Sequence, residues 1–500
     1  MKIVKTGLLI LIVILSCACQ DWLDVQPKTE VKSDLLFQTE SGFKDANIGC
    51  YMMMGSSSLY GKELTSGLMD VLGRQWQMEV SSSYANILKN DYEGAQFMIS
   101  AIWSQTYTTI ANINNILENI DERRNIFQPA VYHIFKGEAL GLRAFLHFEL
   151  LRIFGYGNLE NHPEYLKMKC IPYVRNYNKM ITEQHTVEEI LAFIHQDLEA
   201  AASELDGYDP WSPTLAPEDG ALADSEGFFK NRMTRFNYWA VQATMARVYM
   251  WEGNRKEALK VARHFIDNQA GISGLAWIKE NAIKVADLYV DRTFSTEHIF
   301  RLDITKLYDD NLKSLIDLKD GPNDNYQKLY HNTMNADRRF NSPAGDSDYR
   351  YLYLYDKSDG TKFTNIKFKN IDGASYKNMM PLIRMTEMYY IAAECLGALG
   401  KDKEAFDLLN TVRFYRGIAP AYDLKAGVDN VQEQVEREYR KEFLGEGQIF
   451  YYYKRLGAEN IRGADENLVK IQENSYVLEI PEDEINTAGR EPNRKTEEKK

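Results

Sequence analysis

Residues 235–267, RFNYWAVQATMARVYMWEGNRKEALKVARHFID, read as two helices joined by a tight turn. Ala240, Ala243, Ala246 and Tyr249 recur at helical spacing in the first half, and Ala258, Val261, Ala262 and Phe265 in the second. The turn falls at Glu252, Gly253 and Asn254. Residues 385–413 repeat the scheme: Ala392 and Ala393, a turn at Gly400 to Asp402, then Ala405, Leu408 and Leu409. Small residues beside each turn let the paired helices approach closely, so this pattern predicts an all-α body built from helix pairs.

Other segments agree. Thr186 and Glu189 form a capping box, followed by Val187, Ile190, Leu191, Ile194, Leu198, Ala201, Ala202 and Leu205 on one helical face. Residues 138–154 are apolar on two faces, Leu142, Phe145, Leu146, Leu150 and Ile153 on one and Leu140, Ala144, Phe148 and Leu151 on the other. Such a helix is packed between neighbours. The helix pairs resemble tetratricopeptide (TPR) repeats, whose units stack to share a core. They lie far apart, so long insertions must separate them, near 60–95, 206–230 and 303–380. In the last of these, Tyr349, Tyr351, Tyr353 and Tyr355 alternate with Arg350, Leu352 and Leu354, and a second alternating run covers 363–368. A small β-hairpin is expected there, with Asp356 to Gly360 as its turn rather than a calcium loop, whose later ligands are missing.

At the N-terminus, Lys2 and Lys5 precede the apolar stretch 7–16 and the sequence Cys17-Ala18-Cys19. The run is too short for a permanent membrane helix and reads as an export signal. Its Cys exit is the pattern of a bacterial lipoprotein signal, residues 1–18, with lipid on Cys19. Cys17 is the competing site, and Ala18 with the residues downstream favours Cys19. Each buried methylene contributes about 0.8 kcal/mol and one chain anchors only marginally; the several chains of a bacterial lipoprotein hold firmly. The remainder, 19–493, reads as a single domain, with 494–500 a charged, disordered tail. Net charge is −13, with 26% charged and 44% hydrophobic residues, an ordinary globular balance. Lys and Arg cluster only in the tail, which argues against nucleic acid. Cys50, Cys170 and Cys395 are too few and too widely spaced for a disulfide framework or a zinc site.

Several stretches together resemble the SusD/RagB family of surface lipoproteins from Bacteroidetes. They are residues 19–30 (CQDWLDVQPKTE), Leu142 to Ala144 through Arg152 to Gly155, Glu297 to Phe300, Asp337 with Arg338, Pro381 to Glu387 with Ala393 and Glu394, Leu409 to Arg413, Glu442 to Gly447 with Lys454 to Gly457, and Ile480 to Ile485. The set runs in the family's order along nearly the whole chain. Two departures stand out: Tyr156-Gly157-Asn158 where the family has a proline after the turn, and Gln448, Ile449 and Tyr452 where it has His, Arg and Asp. The resemblance implies a SusD-like fold on four TPR pairs, non-catalytic capture of oligosaccharides or peptides at the cell surface, and delivery to a SusC-like TonB-dependent β-barrel transporter in the outer membrane.

Catalytic patterns are thin: no metal-ligand spacing among the eight His, no nucleophile elbow and no phosphate loop. Ser41 to Lys44 matches a Ser-x-x-Lys tetrapeptide by chance, its Lys-Thr-Gly partner lying in the leader. No cofactor is implied. Ligand capture calls for flat rings with polar groups at the rim. The resemblance points to two loop regions for these. The first offers Asp70, Arg74, Trp76, Tyr84 and Asn86. The second offers Tyr308, Asp309, Asn323, Tyr326 and Tyr330. Trp103, Trp239 and Trp251 follow helical periodicity and belong to the core, and Trp277 is expected to pack; Trp211 is a loop residue. Two other readings remain: a TPR scaffold for protein partners, with a ligand face lacking exposed rings, and a secreted hydrolase, with a deep cleft of paired carboxylates of perturbed pKa.

Overall fold

The structure, a computed structural model, describes residues 33–78, 84–89, 92–215, 227–284, 290–317, 329–340, 344–370, 373 and 375–494. Residues 1–32 with Cys17 and Cys19, the residues Asn323 and Tyr326, and those beyond Arg494 lie outside them. Among the described residues, ten helices of nine residues or more carry the fold: α1 (Glu40–Met54), α2 (Gln96–Ile120), α3 (Pro129–Phe154), α4 (Val187–Leu205), α5 (Tyr238–Glu252), α6 (Arg255–Asn268), α7 (Met385–Ala398), α8 (Asp402–Tyr415), α9 (Val431–Glu442) and α10 (Gln448–Leu456). The caps are those the sequence supplies. Thr186 accepts from the Glu189 N–H while the Glu189 carboxylate accepts from the Thr186 N–H, completing the box at the start of α4. Gly253 ends α5 at φ 79°, a left-handed position that costs glycine nothing. Asn254 then caps α6, accepting from the Glu257 N–H.

The helices stack in succession. α3 packs between α2 and α4, which is why nearly all its side chains are buried. Next come α4 on α5, α5 on α6, α6 on α7, and α7 on both α8 and α9. The expected pairs α5–α6 and α7–α8 are therefore present. Trp103, Trp239 and Trp251 are core residues as periodicity requires, and Trp211 is buried too. Trp277 is half-buried and stacks on Tyr415 with centroids 4.5 Å apart. The three cysteines are free and buried, and burial pushes each thiol up to about 12, which leaves them inert as nucleophiles.

Small sheets sit beside the helices. β1 (His298–Asp303) pairs antiparallel with β5 (Met379–Arg384), which feeds directly into α7. β2 (His331–Asn332), β3 (Tyr355–Asp356) and β4 (Lys362–Asn365) form a three-stranded sheet in the order β2-β4-β3. β6 (Asn460–Arg462) pairs with β7 (Leu468–Lys470), a hairpin without a sequence signal. The hairpin expected from the tyrosine alternation is shorter than its pattern: only Tyr355 and Asp356 pair with β4, and Tyr349–Tyr353 is helical. Asp348 caps that turn by accepting from the Arg350 N–H at 3.0 Å, and the buried Arg350 side chain then reaches Asp348, Glu438 and Glu442. A strand would break both sets of bonds. Asp356 to Gly360 is a turn, with the Ser358 N–H donating to Asp356 and Gly360 at φ 80°.

Three of the stretches that carry the family resemblance, those of Glu297, Arg384 and Glu442 to Glu446, meet in a buried ionic cluster. Glu442 accepts from Arg416 (3.0 and 2.6 Å), Arg384 (2.5 Å) and Arg350 (2.9 Å). Arg416 also pairs with Glu297 at 2.6 Å, Arg384 with Glu446 at 2.9 Å, and Lys367 with Glu446. Charges buried this deeply are retained only when several partners satisfy each. The cluster ties β1, β5, α8 and α9 to the loop between α9 and α10.

Candidate ligand-binding site

The first candidate region is held from below by one carboxylate. Asp70 lies in a short helix, Leu68–Leu72, and is fully buried. It accepts from the Gly445 N–H at 2.6 Å, the Gly447 N–H at 2.9 Å and the Trp76 indole N–H at 3.1 Å. Burial pushes its carboxyl up to about 7, against the pull of those three donors. Gly447 adopts φ 71°, and a side chain there would collide with the Leu64 carbonyl, so the Asp70 cradle requires glycine.

Beyond Trp76 the chain joins the second region. Gln77 and Tyr330 exchange backbone hydrogen bonds at 2.9 and 3.0 Å, the Gln77 side chain accepts from the Asn332 N–H at 2.9 Å, and His331 bonds the Gln75 carbonyl at 2.7 Å. The two loops singled out in the sequence are therefore neighbours, some 250 positions apart in the chain: the Gln77 to Asn332 bond spans 255. Farther along, the Leu329 N–H donates to the Leu315 carbonyl at 2.6 Å. That links the seam to a π-helical turn, Leu307–Leu312, entered through Lys306 at φ 55°. Such turns are rare and often mark functional positions.

Within this frame the candidates separate. Trp76, 3% exposed, packs on His331 with centroids 5.0 Å apart. Arg74 is buried beside Tyr92 and Tyr476, and the Tyr84 hydroxyl donates to Glu63. Tyr308 is buried with its hydroxyl on Asp317 at 2.7 Å. Asp70, Arg74, Trp76, Tyr84 and Tyr308 thus face inward, contrary to the expectation that loop residues face solvent. The reason is that Glu63 accepts from the Leu68 N–H within this loop while Asp70 accepts from the Gly445 and Gly447 N–H groups of the loop between α9 and α10, which lets irregular backbone be buried. Asn86 and Asp309 are exposed and Tyr330 is half-buried, with the Lys362 ammonium 4.5 Å from its ring centroid. Asn323 and Tyr326 fall outside the described residues.

Beside the π-helical turn runs a groove of about 570 Å³ between the end of α1 and the exit of β1. Ser57, Arg235, Asp303, Asp310 and Asn311 supply its polar wall. The Arg235 guanidinium lies over the rings of Phe228 (4.3 Å) and Tyr51 (5.1 Å). Ile304, also on the wall, is held by its N–H to the Asn378 carbonyl at 2.7 Å; two residues before Asn378, Tyr376 is 39% exposed. Sequence reasoning missed Arg235, Asn311 and Tyr376, because nothing local distinguishes an exposed ring or a groove wall from any other loop position. Chemically the wall can donate and accept hydrogen bonds to hydroxyls and amides. Asp70 and Asp291, the described carboxylates that burial raises, do not line it. Among the described residues no cluster of three His, Cys, Asp or Glu could hold a metal.

Residues 21–208 match the sequence pattern of a family described as starch-binding and associating with the outer membrane, and residues 237–498 match that of the SusD family. A SusD-like protein of Formosa agariphila is 23% identical over 505 residues, covering 89% of this chain and 88% of its own. A SusD superfamily protein of Bacteroides thetaiotaomicron is similar in structure, with a TM-score of 0.69 and 20% identity, covering 91% of this chain and 100% of that one. A putative sugar binding protein of Bacteroides vulgatus also scores 0.69, with 22% identity over 91% and 98% of the two chains. A SusD-like carbohydrate binding protein of the same species scores 0.62, with 18% identity over 85% and 84%. On the matched patterns and the shared architecture of helix pairs with small sheets, this chain belongs to the SusD/RagB family.

Proposed function

We propose that the protein is a non-catalytic, lipid-anchored binding protein of the outer-membrane surface. It captures oligosaccharides or peptides and passes them to a SusC-like TonB-dependent transporter. The observation that carries this reading is the groove itself, where the loop after α1 (Ser57) and the end of β1 with the segment after it (Asp303, Asp310, Asn311) form a wall rich in hydrogen-bond donors and acceptors. The same two loops are joined farther along by the Gln77–Tyr330 seam. Rigid support with polar loops above it is how binding sites are preorganised. The family description and the sugar-binding neighbours favour oligosaccharide as the ligand class. In this reading residues 19–493 act as one domain whose helix pairs are TPR-like. Asn86, Asp309, Asn323, Tyr326 and Tyr330 contribute to the ligand face with Arg235, Asp310, Asn311 and Tyr376, while Asp70, Arg74, Trp76, Tyr84 and Tyr308 brace it.

Glycan and peptide arrays probed with the mature protein test this. Binding to members of one class, lost in Asp310→Ala/Asn311→Ala, is the expected result. Wild-type binding that the double variant leaves intact would remove the groove from the site. Absence of binding to both classes would favour the protein-scaffold reading.

A further inference from the structure

A second, smaller pocket lies between helices, lined from α3, α5, α7, α9 and α10. Its volume is about 40 Å³, where a single water needs roughly 10–15 Å³. Three arginines reach its wall, each already neutralised: Arg152 by Glu149, Arg247 by Glu387 at 2.6 Å and Arg455 by Glu394 at 2.7 Å. The carboxylates are thereby engaged, yet donors remain. Arg247 Nη1, Arg152 Nε, the Trp251 indole N–H and the Tyr451 hydroxyl are all on residues of this wall, all buried, and none has a hydrogen-bond partner among the described residues. Arg247 spends Nε and Nη2 on Glu387 and the Leu382 carbonyl, which leaves Nη1 over. The Arg152 guanidinium lies over Tyr451, 3.8 Å from its ring centroid.

Buried N–H and O–H groups almost always find an acceptor. Here four belong to residues of three helices that line one small space. A single water accepts only two hydrogen bonds, fewer than the four donors present, and the wall's acceptors Glu387 and Gln448 Oε1 already accept from Arg247 and Arg152. A monatomic anion accepts from every side and has no hydrogens to place. Guanidinium edges and an indole N–H are weakly hydrated donors suited to such an ion. We propose that this cavity is a structural anion site, sized for a halide such as chloride, which cross-links α3, α5 and α10. It is separate from the groove and independent of the ligand proposal.

Crystals of the mature protein soaked in sodium bromide and measured at the bromine edge test it directly. The expected result is an anomalous peak inside the cavity, within hydrogen-bonding distance of Arg247 Nη1 and Trp251 Nε1. In solution, the melting temperature should rise by about 2 °C when chloride replaces gluconate at constant ionic strength and tenfold excess over Kd. Trp251→Phe and Tyr451→Phe, which keep the rings and remove a donor each, should reduce that rise. Ordered water alone in the cavity of soaked crystals would overturn the proposal. So would an equal chloride response in wild type and both variants.

Discussion

Glu442→Gln removes the charge shared by three buried guanidiniums while keeping the side chain's shape. In the wild type Arg350, Arg384 and Arg416 all donate to this carboxylate at 2.5–3.0 Å. The glutamine can offer one acceptor, and its NH2 group faces donors. Breaking one buried ion pair costs about 3–5 kcal/mol. The three arginines keep Asp348, Glu446 and Glu297 as second partners, so the loss stays near one pair's worth, about 4–5 kcal/mol. That is a large share of a total of roughly 5–15 kcal/mol. The pH dependence has a definite sign. Burial pushes the Glu442 carboxyl up, but Arg416 and Arg384, with Arg350, outweigh it and hold the group well below its ordinary 4.5. Its contribution is therefore complete above the unfolded value of 4.5 and is lost as pH falls through the lower folded value. Urea titrations followed by circular dichroism, at pH 7 and at pH 4 and below, measure both effects. The gap between wild type and variant should be widest at pH 7 and narrow in acid. A gap under about 1 kcal/mol at pH 7, well short of a broken buried pair, would refute the account. So would one that widens in acid.

Trp76→Ala should lower stability by about 3–5 kcal/mol, because the ring is buried on His331; calorimetry showing an unchanged melting temperature would return Trp76 to the ligand face. Tyr376→Ala should leave the melting temperature unchanged and weaken ligand binding, read by titration against the array-identified ligand. Cys19→Ala should yield folded protein that partitions to the aqueous phase in detergent, where wild type enters the detergent phase; equal partitioning would move the lipid to Cys17 or abolish it. Gentle solubilisation of the outer membrane should recover the protein with a β-barrel transporter through an interface on the order of 2,000 Å² or more; recovery of free monomer alone would count against delivery.

The helix pairs and their caps were legible in the residues alone. Gly253, Asn254, Thr186 and Glu189 act within three or four residues of themselves, and a periodic apolar face reports burial without knowledge of what covers it. The sequence also carried the family pattern, of which Glu297, Arg384, Glu442 and Glu446 form part of a buried ionic frame. Which loop residues meet solvent depends instead on contacts made across the fold. The resemblance places Asp70 and Trp76 in a ligand loop, yet both are buried, and Asp70's partner Gly445 lies 375 positions away. The tyrosines at 349–353 alternate like a strand, yet Asp348 and the acids of α9 draw Arg350 into a helical turn. In each case the local pattern was legible and the deciding partner was distant: hydrogen bonds and ion pairs made across the fold outweigh the weak local preferences that a sequence window can register.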